Sequence, residues 1–236
     1  MLQRISFRID GEYVSAAPGQ TILEAAQASG KFIPSLCYLK GLSKVGACRL
    51  CLVEIAGVNR LVPACTTPVQ EGMSITTDSE RLRLCRRVIM ELLLAERNHY
   101  CSVCVSNGHC ELQALAQKLG VTNVRYPYSY PKLSVDVSHP RFVLDHNRCV
   151  LCMRCVRVCS EVEGAHVWDI MSRGVNSRIV CELDQPWGLA EACTSCGKCV
   201  QACPTGAMAE KGWAVEEMVK DHDRISRLAD TRRMAI

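Results

Sequence analysis

CVLCMRCVRVCS (Cys149–Ser160) and CTSCGKCVQACP (Cys193–Pro204) are one twelve-residue pattern written twice. In each, three cysteines stand two residues apart and a fourth follows after three more. Two intervening residues suit two thiolates facing one metal centre, whereas neighbouring cysteines at this spacing form disulfides only in strained redox loops. A zinc ribbon also uses such pairs, but two matched runs of four fit cubes of iron and sulfide better. The two runs make residues 141–210 an internal repeat and a unit of their own.

The run resembles that of bacterial ferredoxins, in which three cysteines hold one 4Fe–4S cluster and the fourth holds its neighbour. The fourth cysteine lies one helical turn away and points at the other cube. This assigns Cys149, Cys152, Cys155 and Cys203 to one 4Fe–4S cluster. Cys193, Cys196, Cys199 and Cys159 go to the other. Pro204 follows the second run and Ser160 takes its place in the first; the insert between them is long. Neither change removes a ligand.

Outside the repeat the composition carries the same message. The chain has 17 cysteines in 236 residues and only 5% aromatics. A core poor in large rings has less apolar area to bury, so something else must hold it together. An odd cysteine count, mostly in Cys-x2-Cys pairs, favours metal sites over disulfides. Four cysteines lie near the N-terminus: Cys37, Cys48, Cys51 and Cys65, spaced Cys-x10-Cys-x2-Cys-x13-Cys. Ile5, Phe7 and Ile9 alternate with polar residues, Asp10-Gly11 is a turn and Tyr13-Val14 resumes, which predicts a hairpin over 3–15. Thr21 and Glu24 form the ends of a capping box, and Gly30 stops the helix they open. MSITT (73–77) closes the segment as a strand. A hairpin, a helix and a long cysteine-bearing loop predict a β-grasp domain over 1–78 with a 2Fe–2S cluster; structural zinc is the alternative. Gly41 and Gly46 are expected to let the backbone approach the sulfides.

Residues 79–120 predict a small helical domain. Leu82, Cys85, Ile89, Leu92 and Leu93 form one stripe of a helix over 79–98, with Arg81, Arg83, Arg86 and Arg87 on a solvated face. AERNHYCSVCVSNGHCELQ (95–113) follows, with Cys101, Cys104 and Cys110 spaced as ligands. A 4Fe–4S cluster needs a fourth, and His99, His109, Cys85 and Cys181 are the candidates. CELQALAQKLG is a second helix ending at Gly120. VRYPYSYPKL reads as extended chain, making 121–140 a linker. Residues 211–236 are charged and helical in pattern, a C-terminal helix docked on a partner or on the body. Cys85 on its stripe and Cys181 in a short strand of the insert read as structural thiols. His139, His146, His166 and His222 read as surface or hydrogen-bonded residues, and Trp168, Trp187 and Trp213 as packing or interface anchors. The fold class is α+β.

In this order, the sites resemble the electron-input region of three families over residues 1 to about 210. These are the large iron–sulfur subunit of NADH:quinone oxidoreductase, the iron-only hydrogenases, and the diaphorase small (gamma) subunit of NAD-reducing nickel–iron hydrogenases. The first two continue into large catalytic or pterin-type domains, for which a full-length chain ending at Ile236 leaves no room. AERNHYCSVC and AEKGWAVEEMVK also look like the gamma subunit. This resemblance implies a non-catalytic electron-transfer subunit of a hydrogen:NAD+ oxidoreductase, with one 2Fe–2S and three 4Fe–4S clusters. It implies a hetero-oligomer with a flavin- and NAD-binding diaphorase large subunit and the small and large nickel–iron hydrogenase subunits. NAD and FMN then bind a partner, in keeping with the lack of a Gly-x-Gly-x-x-Gly or P-loop motif here. The alternatives are the iron–sulfur subunit of a complex I-like or formate dehydrogenase assembly, or a free-standing ferredoxin-type carrier.

The resemblance also calls for one histidine beside Cys101, Cys104 and Cys110. Twelve cysteines serve the other three clusters and the two spare ones have structural readings, so His99 is the expected fourth ligand, with His109 its rival. The related families usually write His-x3-Cys, which falls on Arg97 here, so His99 must reach from a different backbone position.

The formal net charge is +4, but each oxidised four-Cys cluster contributes about −2, so the loaded protein is mildly acidic and nucleic-acid binding is not expected. MLQRISFRIDGEY lacks a basic-then-apolar leader, and no eighteen-residue apolar run occurs, so the expectation is a cytoplasmic protein without a membrane span.

Overall fold

The structure is a computed structural model that describes residues 4–214 and 217–234. The outer ends of the expected N-terminal domain and C-terminal helix, residues 1–3 and 235–236, lie outside the described residues, as do 215–216 within the tail. Strands β1 (Ile5–Ile9) and β2 (Glu12–Ala16) pair antiparallel with Phe7 opposite Val14. Asp10 (φ 52°) and Gly11 (φ 83°) turn them through left-handed backbone, as a two-residue hairpin requires. Helix α1 (Ile22–Ala28) opens on the expected capping box: the Thr21 hydroxyl accepts from Glu24 N–H at 3.4 Å, and Glu24 accepts from Thr21 N–H at 2.8 Å. Such a cap is worth about 1 kcal/mol. Strands β3 (Leu52–Ile55), β4 (Val58–Pro63) and β5 (Ser74–Thr76) complete a five-stranded sheet in the order β2-β1-β5-β3-β4. The strand that closes this segment in sequence is central in the sheet, parallel to β1 and antiparallel to β3. Phe7, Ile9, Ile22, Leu23, Val53 and Ile75 fill its core together with Cys51 and Cys65.

Helix α2 (Glu80–Glu96) begins at Ser79, whose hydroxyl accepts from Leu82 N–H. Its predicted faces need correction. Leu82 is buried, but Leu92 is 47% exposed and Cys85 is only half-buried. Arg86 belongs to the interior and donates to the Leu52 carbonyl at 2.7 Å, tying α2 to β3. Glu91 is also buried, held by Arg87 and by Arg125 from the extended segment. These polar residues interrupt the stripe because each finds a partner inside, which apolar periodicity does not register. Helix α3 (Glu111–Lys118) packs Leu112 and Ala116 against Met90, Leu36 and Leu50.

The expected linker 121–140 is tied into a sheet at one place. Residues 135–136 form strand β6 (Val135–Asp136) beside β7 (Phe142–Asp145). The first cysteine run leads into α4 (Arg154–Arg157), which continues as a π-helical turn over Val158–Glu163. The insert forms a hairpin of β8 (Trp168–Met171) and β9 (Arg178–Cys181), with Cys181 buried opposite Trp168. The second run leads into α5 (Lys198–Ala202) and β10 (Met208–Glu210), giving a three-stranded sheet β10-β7-β6. Phe142, Val158, Trp168, Trp187, Val200 and Met208 form the core between these pieces, with Cys155, Cys159, Cys199 and Cys203 in it.

The C-terminal helix, α6 (His222–Met234), starts eleven residues later than predicted. Lys220 Nζ is drawn to the carbonyls of Cys203 and Thr205, and Asp221 accepts from Arg224 N–H as a cap, so the helix opens only after that point. α6 docks on this chain's own body through Ile225 and Ala229. Gly41, expected to face a cluster, instead faces α6. A Cβ there would stand 2.8 Å from Ala229 Cβ and 3.1 Å from the Ser226 carbonyl oxygen, and its φ is +90°. Gly41→Val is therefore expected to cost about 1–3 kcal/mol through overpacking and backbone strain. The checks are a lowered denaturation midpoint and faster proteolysis inside α6; an unchanged midpoint would refute the close approach.

Candidate metal centres

The N-terminal donors come from the long loop between α1 and β3 and the end of β4, and all four are buried. Hydrogen bonds from the Cys48 and Cys65 thiols pull the Cys37 thiol down to about 2, and the same bonds raise Cys48 and Cys65. Cys65 also lowers Cys51. Sulfur contacts of this kind place all four side chains at one point. Arg49 (φ 57°), between Cys48 and Cys51, is left-handed, and Leu36 N–H donates to Cys48 Sγ at 3.4 Å. N–H groups directed at ligand sulfur are what an iron–sulfur site requires of a backbone.

The repeat is structural as well as textual. Leu151 (φ 51°) and Met153 (φ 61°) are left-handed in the first run, and Ser195 (φ 54°) and Gly197 (φ 72°) hold the same places in the second. Three of these four carry side chains, each at a cost of about 1–2 kcal/mol. Strain repeated at equivalent positions marks a loop wrapped around something. Cys149, Cys152, Cys155 and Cys203 line one cavity of about 340 Å³, part of it open to solvent. Cys159, Cys193, Cys196 and Cys199 line another. The fourth cysteine of each run thus faces the cavity of the other run, as the ferredoxin pattern implies. Burial pushes Cys149 up to about 12 and Cys152 to about 11, and raises Cys155 and Cys199 further. Burial would raise Cys203 too, but Lys220 and the Thr205 contacts bring it below its ordinary value. Buried thiols that resist ionisation need a cationic centre to take their protons' place, so the donor set fits a metal cluster.

His99, Cys101, Cys104 and Cys110 line the remaining cavity, of about 380 Å³ including open space. His99 Nε2 is buried in it without a hydrogen-bond partner. Burial, then the charges of Arg148 and Arg97, lower His99 to about 4, while the Leu93 carbonyl acts on the ring from the other side. The ring is neutral at pH 7 with a lone pair facing three thiols, as a metal-ligating histidine must be. Gly206 leaves the space they need, since a Cβ there would stand 2.7 Å from Cys104 Sγ. His109 is exposed and does not line the cavity. Arg97 is buried and turned away, donating to the Ser177 carbonyl at 2.9 Å.

Some residues that shape these sites carry no sequence signal. Trp187 Nε1–H donates to Cys193 Sγ at 3.4 Å. His139 is buried against Phe142 and Trp187, with both ring centroids 4.8 Å away. Its Nδ1 accepts from the N–H groups of Arg141 and Phe142, so its Nε2–H is directed to Ser195 Oγ. Both residues stand outside the cysteine runs. Arg154 and Arg157 lie inside the first run but fall between its ligands, where spacing says nothing of them.

Three family profiles match the chain in order. They are a 2Fe-2S iron-sulfur cluster binding domain over residues 3–80, the NADH-ubiquinone oxidoreductase-G iron-sulfur binding region over 86–125, and the NADH-quinone oxidoreductase subunit 3 ferredoxin-like domain over 140–209. The NADPH-Fe(3+) oxidoreductase subunit alpha of Geobacter sulfurreducens is 41% identical over 207 residues, 88% of this chain but 24% of that protein. This chain therefore spans about a quarter of that relative. A chain of the NAD+-reducing NiFe-hydrogenase structure in the H2-reduced state superposes with a TM-score of 0.86 at 37% identity, over 97% of this chain and 98% of the other. The NAD-reducing hydrogenase HoxS subunit gamma of Cupriavidus necator is 34% identical over 208 residues, 88% of this chain and 87% of that one. Identity at that level across nearly the whole of both chains means that this protein belongs to the family of NAD-reducing hydrogenase gamma subunits, iron–sulfur subunits of oxidoreductases.

Proposed function

We propose that the chain is the electron-relay subunit of an NAD-reducing nickel–iron hydrogenase, holding one 2Fe–2S and three 4Fe–4S clusters. The observation that carries this reading is the gathering of four separate donor sets in one small fold, with a cavity inside each of three. Cys37, Cys48, Cys51 and Cys65 hold the 2Fe–2S cluster. His99, Cys101, Cys104 and Cys110 hold one 4Fe–4S cluster; the crossed sets of the repeat hold the other two. The division is a β-grasp part (1–78), a helical part (79–120), a connecting stretch (121–140) that contains β6, a two-cluster part (141–210) and a tail (211–236) whose helix covers 222–234. When bound, such clusters take up and release single electrons. The chain fixes their places, keeps water from the buried thiolates and directs N–H groups at sulfur.

Cys101 and Cys196 are the exposed donors. Each lies in a different 4Fe–4S set, which gives the relay two edges for partners: a flavin- and NAD-binding diaphorase subunit and the nickel–iron module. The assembly works in the cytoplasm. The test is native purification followed by iron, sulfide, flavin and nickel analysis, with H2-dependent NAD+ reduction. Co-purification of flavin and nickel with iron for four clusters is expected. The likeness to a subunit of an NADPH-Fe(3+) oxidoreductase favours a second reading, the same relay in another NAD(P)H-linked complex. Flavin without nickel would select it, and a self-standing loaded monomer would refute both.

A further inference from the structure

Arg157 is buried, 4% exposed, at the junction of two donor sets. Its Nη2 donates to the carbonyl of Cys37 at 2.5 Å and to that of Cys152 at 3.3 Å. Its Nη1 donates to the Ser43 carbonyl and its Nε to the Met153 carbonyl at 3.2 Å. All three nitrogens are satisfied, yet every partner is a neutral carbonyl. Arg154, one turn earlier, is different: it makes a two-pronged pair with the Glu111 carboxylate at 2.6 and 2.9 Å. Among the described residues no carboxylate pairs with Arg157. Glu161, the acid nearest along its own helix, is turned to Ser43 N–H and Oγ. A buried charge with no counter-charge is strongly destabilising, so something must balance it.

We propose that Arg157 is the shared counter-charge of two metal centres, the Cys37/48/51/65 site and the Cys149/152/155/203 site, and sets their reduction potentials together. The inference rests on the iron–sulfur reading above. Both centres are anionic when loaded, and each gains a further negative charge on reduction. A fixed cation at their common wall stabilises the reduced form of each, which raises both potentials. Because one nitrogen bridges the two backbones, the same contact fixes the centres relative to each other.

The repeat contains its own control. The position equivalent to Arg157 in the second run is Gln201, which accepts from Asp221 N–H in the tail segment and meets no second centre. R157Q therefore writes the second run's residue into the first. The experiment is an EPR-monitored redox titration of the loaded complex carrying wild-type chain, R157Q or R157K. The 2Fe–2S signal is separable from the 4Fe–4S signals by its slower relaxation. In R157Q, the 2Fe–2S midpoint and one 4Fe–4S midpoint are expected to fall together while the other two 4Fe–4S midpoints stay. R157K keeps the charge but lacks the planar fork, so its two midpoints fall less, and unequally. If R157Q does not load, the R157K arm decides. Unchanged midpoints in whichever variant loads, or equal falls in all four centres, would overturn the shared charge. A wild-type chain without a 2Fe–2S signal would instead defeat the iron–sulfur reading itself, so the two failures are distinguishable.

Discussion

Removing the iron is expected to unfold residues 141–210 outright while leaving residues 4–77 folded. The two parts depend on metal to different degrees. The N-terminal part has a five-stranded sheet and an apolar core of Phe7, Ile9, Ile22, Leu23, Val53 and Ile75, which stands without a cluster. The C-terminal part has a four-residue α-helix continued by a six-residue π-helical turn, a helix of five residues, and strands of three to four. Helices that short are unstable alone. Its core includes Cys155, Cys159, Cys199 and Cys203 around two cavities, and its cysteine runs strain Leu151, Met153 and Ser195 into left-handed backbone. Structural metal sites contribute about 10–16 kcal/mol in small zinc domains, as much as the whole stability of about 5–15 kcal/mol that a domain possesses. Iron–sulfur centres taken at similar strength outweigh everything else in this region. The experiment is chelation under reducing, anaerobic conditions, followed by calorimetry and limited proteolysis. One cooperative transition should vanish, with cleavage confined to the second half. Survival of both transitions in iron-free protein would refute the dependence.

What could be read from the sequence is what spacing and local chemistry encode. The hairpin at Asp10-Gly11 and the Thr21–Glu24 cap are set by residues a few positions apart, and both were legible. The crossed assignment of Cys159 and Cys203 came from the likeness of the runs to those of bacterial ferredoxins, and each lines the cavity of the other run. Long-range contacts left no such trace. Nothing near Gly41 announces that α6, almost two hundred residues later, lies against it. The central place of β5 depends on parallel pairing with β1, which no local pattern records. Arg86 and Glu91 look like exposed helix residues until their partners, the Leu52 carbonyl and Arg125, are in place. Arg154 and Arg157 were hidden in the most legible stretch of all, because attention to cysteine spacing treats the residues between as filler. The start of α6 was misplaced because charge and periodicity continue upstream, while Lys220 is taken by the Cys203 and Thr205 carbonyls.

Replacing His99 with alanine is expected to empty one centre and to slow electron transfer through the assembly by about 100-fold or more. Loss of a residue that merely supports a metal ligand costs about 10–100-fold in metal affinity or activity, and loss of the ligand itself should exceed that. His99 Nε2 has no hydrogen-bond partner to give up and faces Cys101, Cys104 and Cys110 across their cavity. Its low pKa, about 4, keeps the lone pair free at neutral pH. Among the other residues of the cavity wall, Arg148 is a cation, Thr205 Oγ1 donates to the Arg148 carbonyl, and the unpartnered Ser106 hydroxyl is a weaker iron ligand than an imidazole. His99→Ala should therefore lose the EPR signal of a single 4Fe–4S cluster and keep the rest. His109→Ala should change nothing, because that ring lies outside the cavity. His99→Cys gives the sharper result. A thiolate in place of a neutral imidazole adds one negative charge, so a cluster that still assembles should titrate at a lower midpoint while the other three hold theirs. A full complement of four clusters at unchanged midpoints in His99→Ala would remove His99 from the site. Exposure of Cys101 gives this centre an edge at the surface, and under the proposed relay a break at an edge where electrons cross to a partner has no way round it, which is why the expected kinetic loss is large.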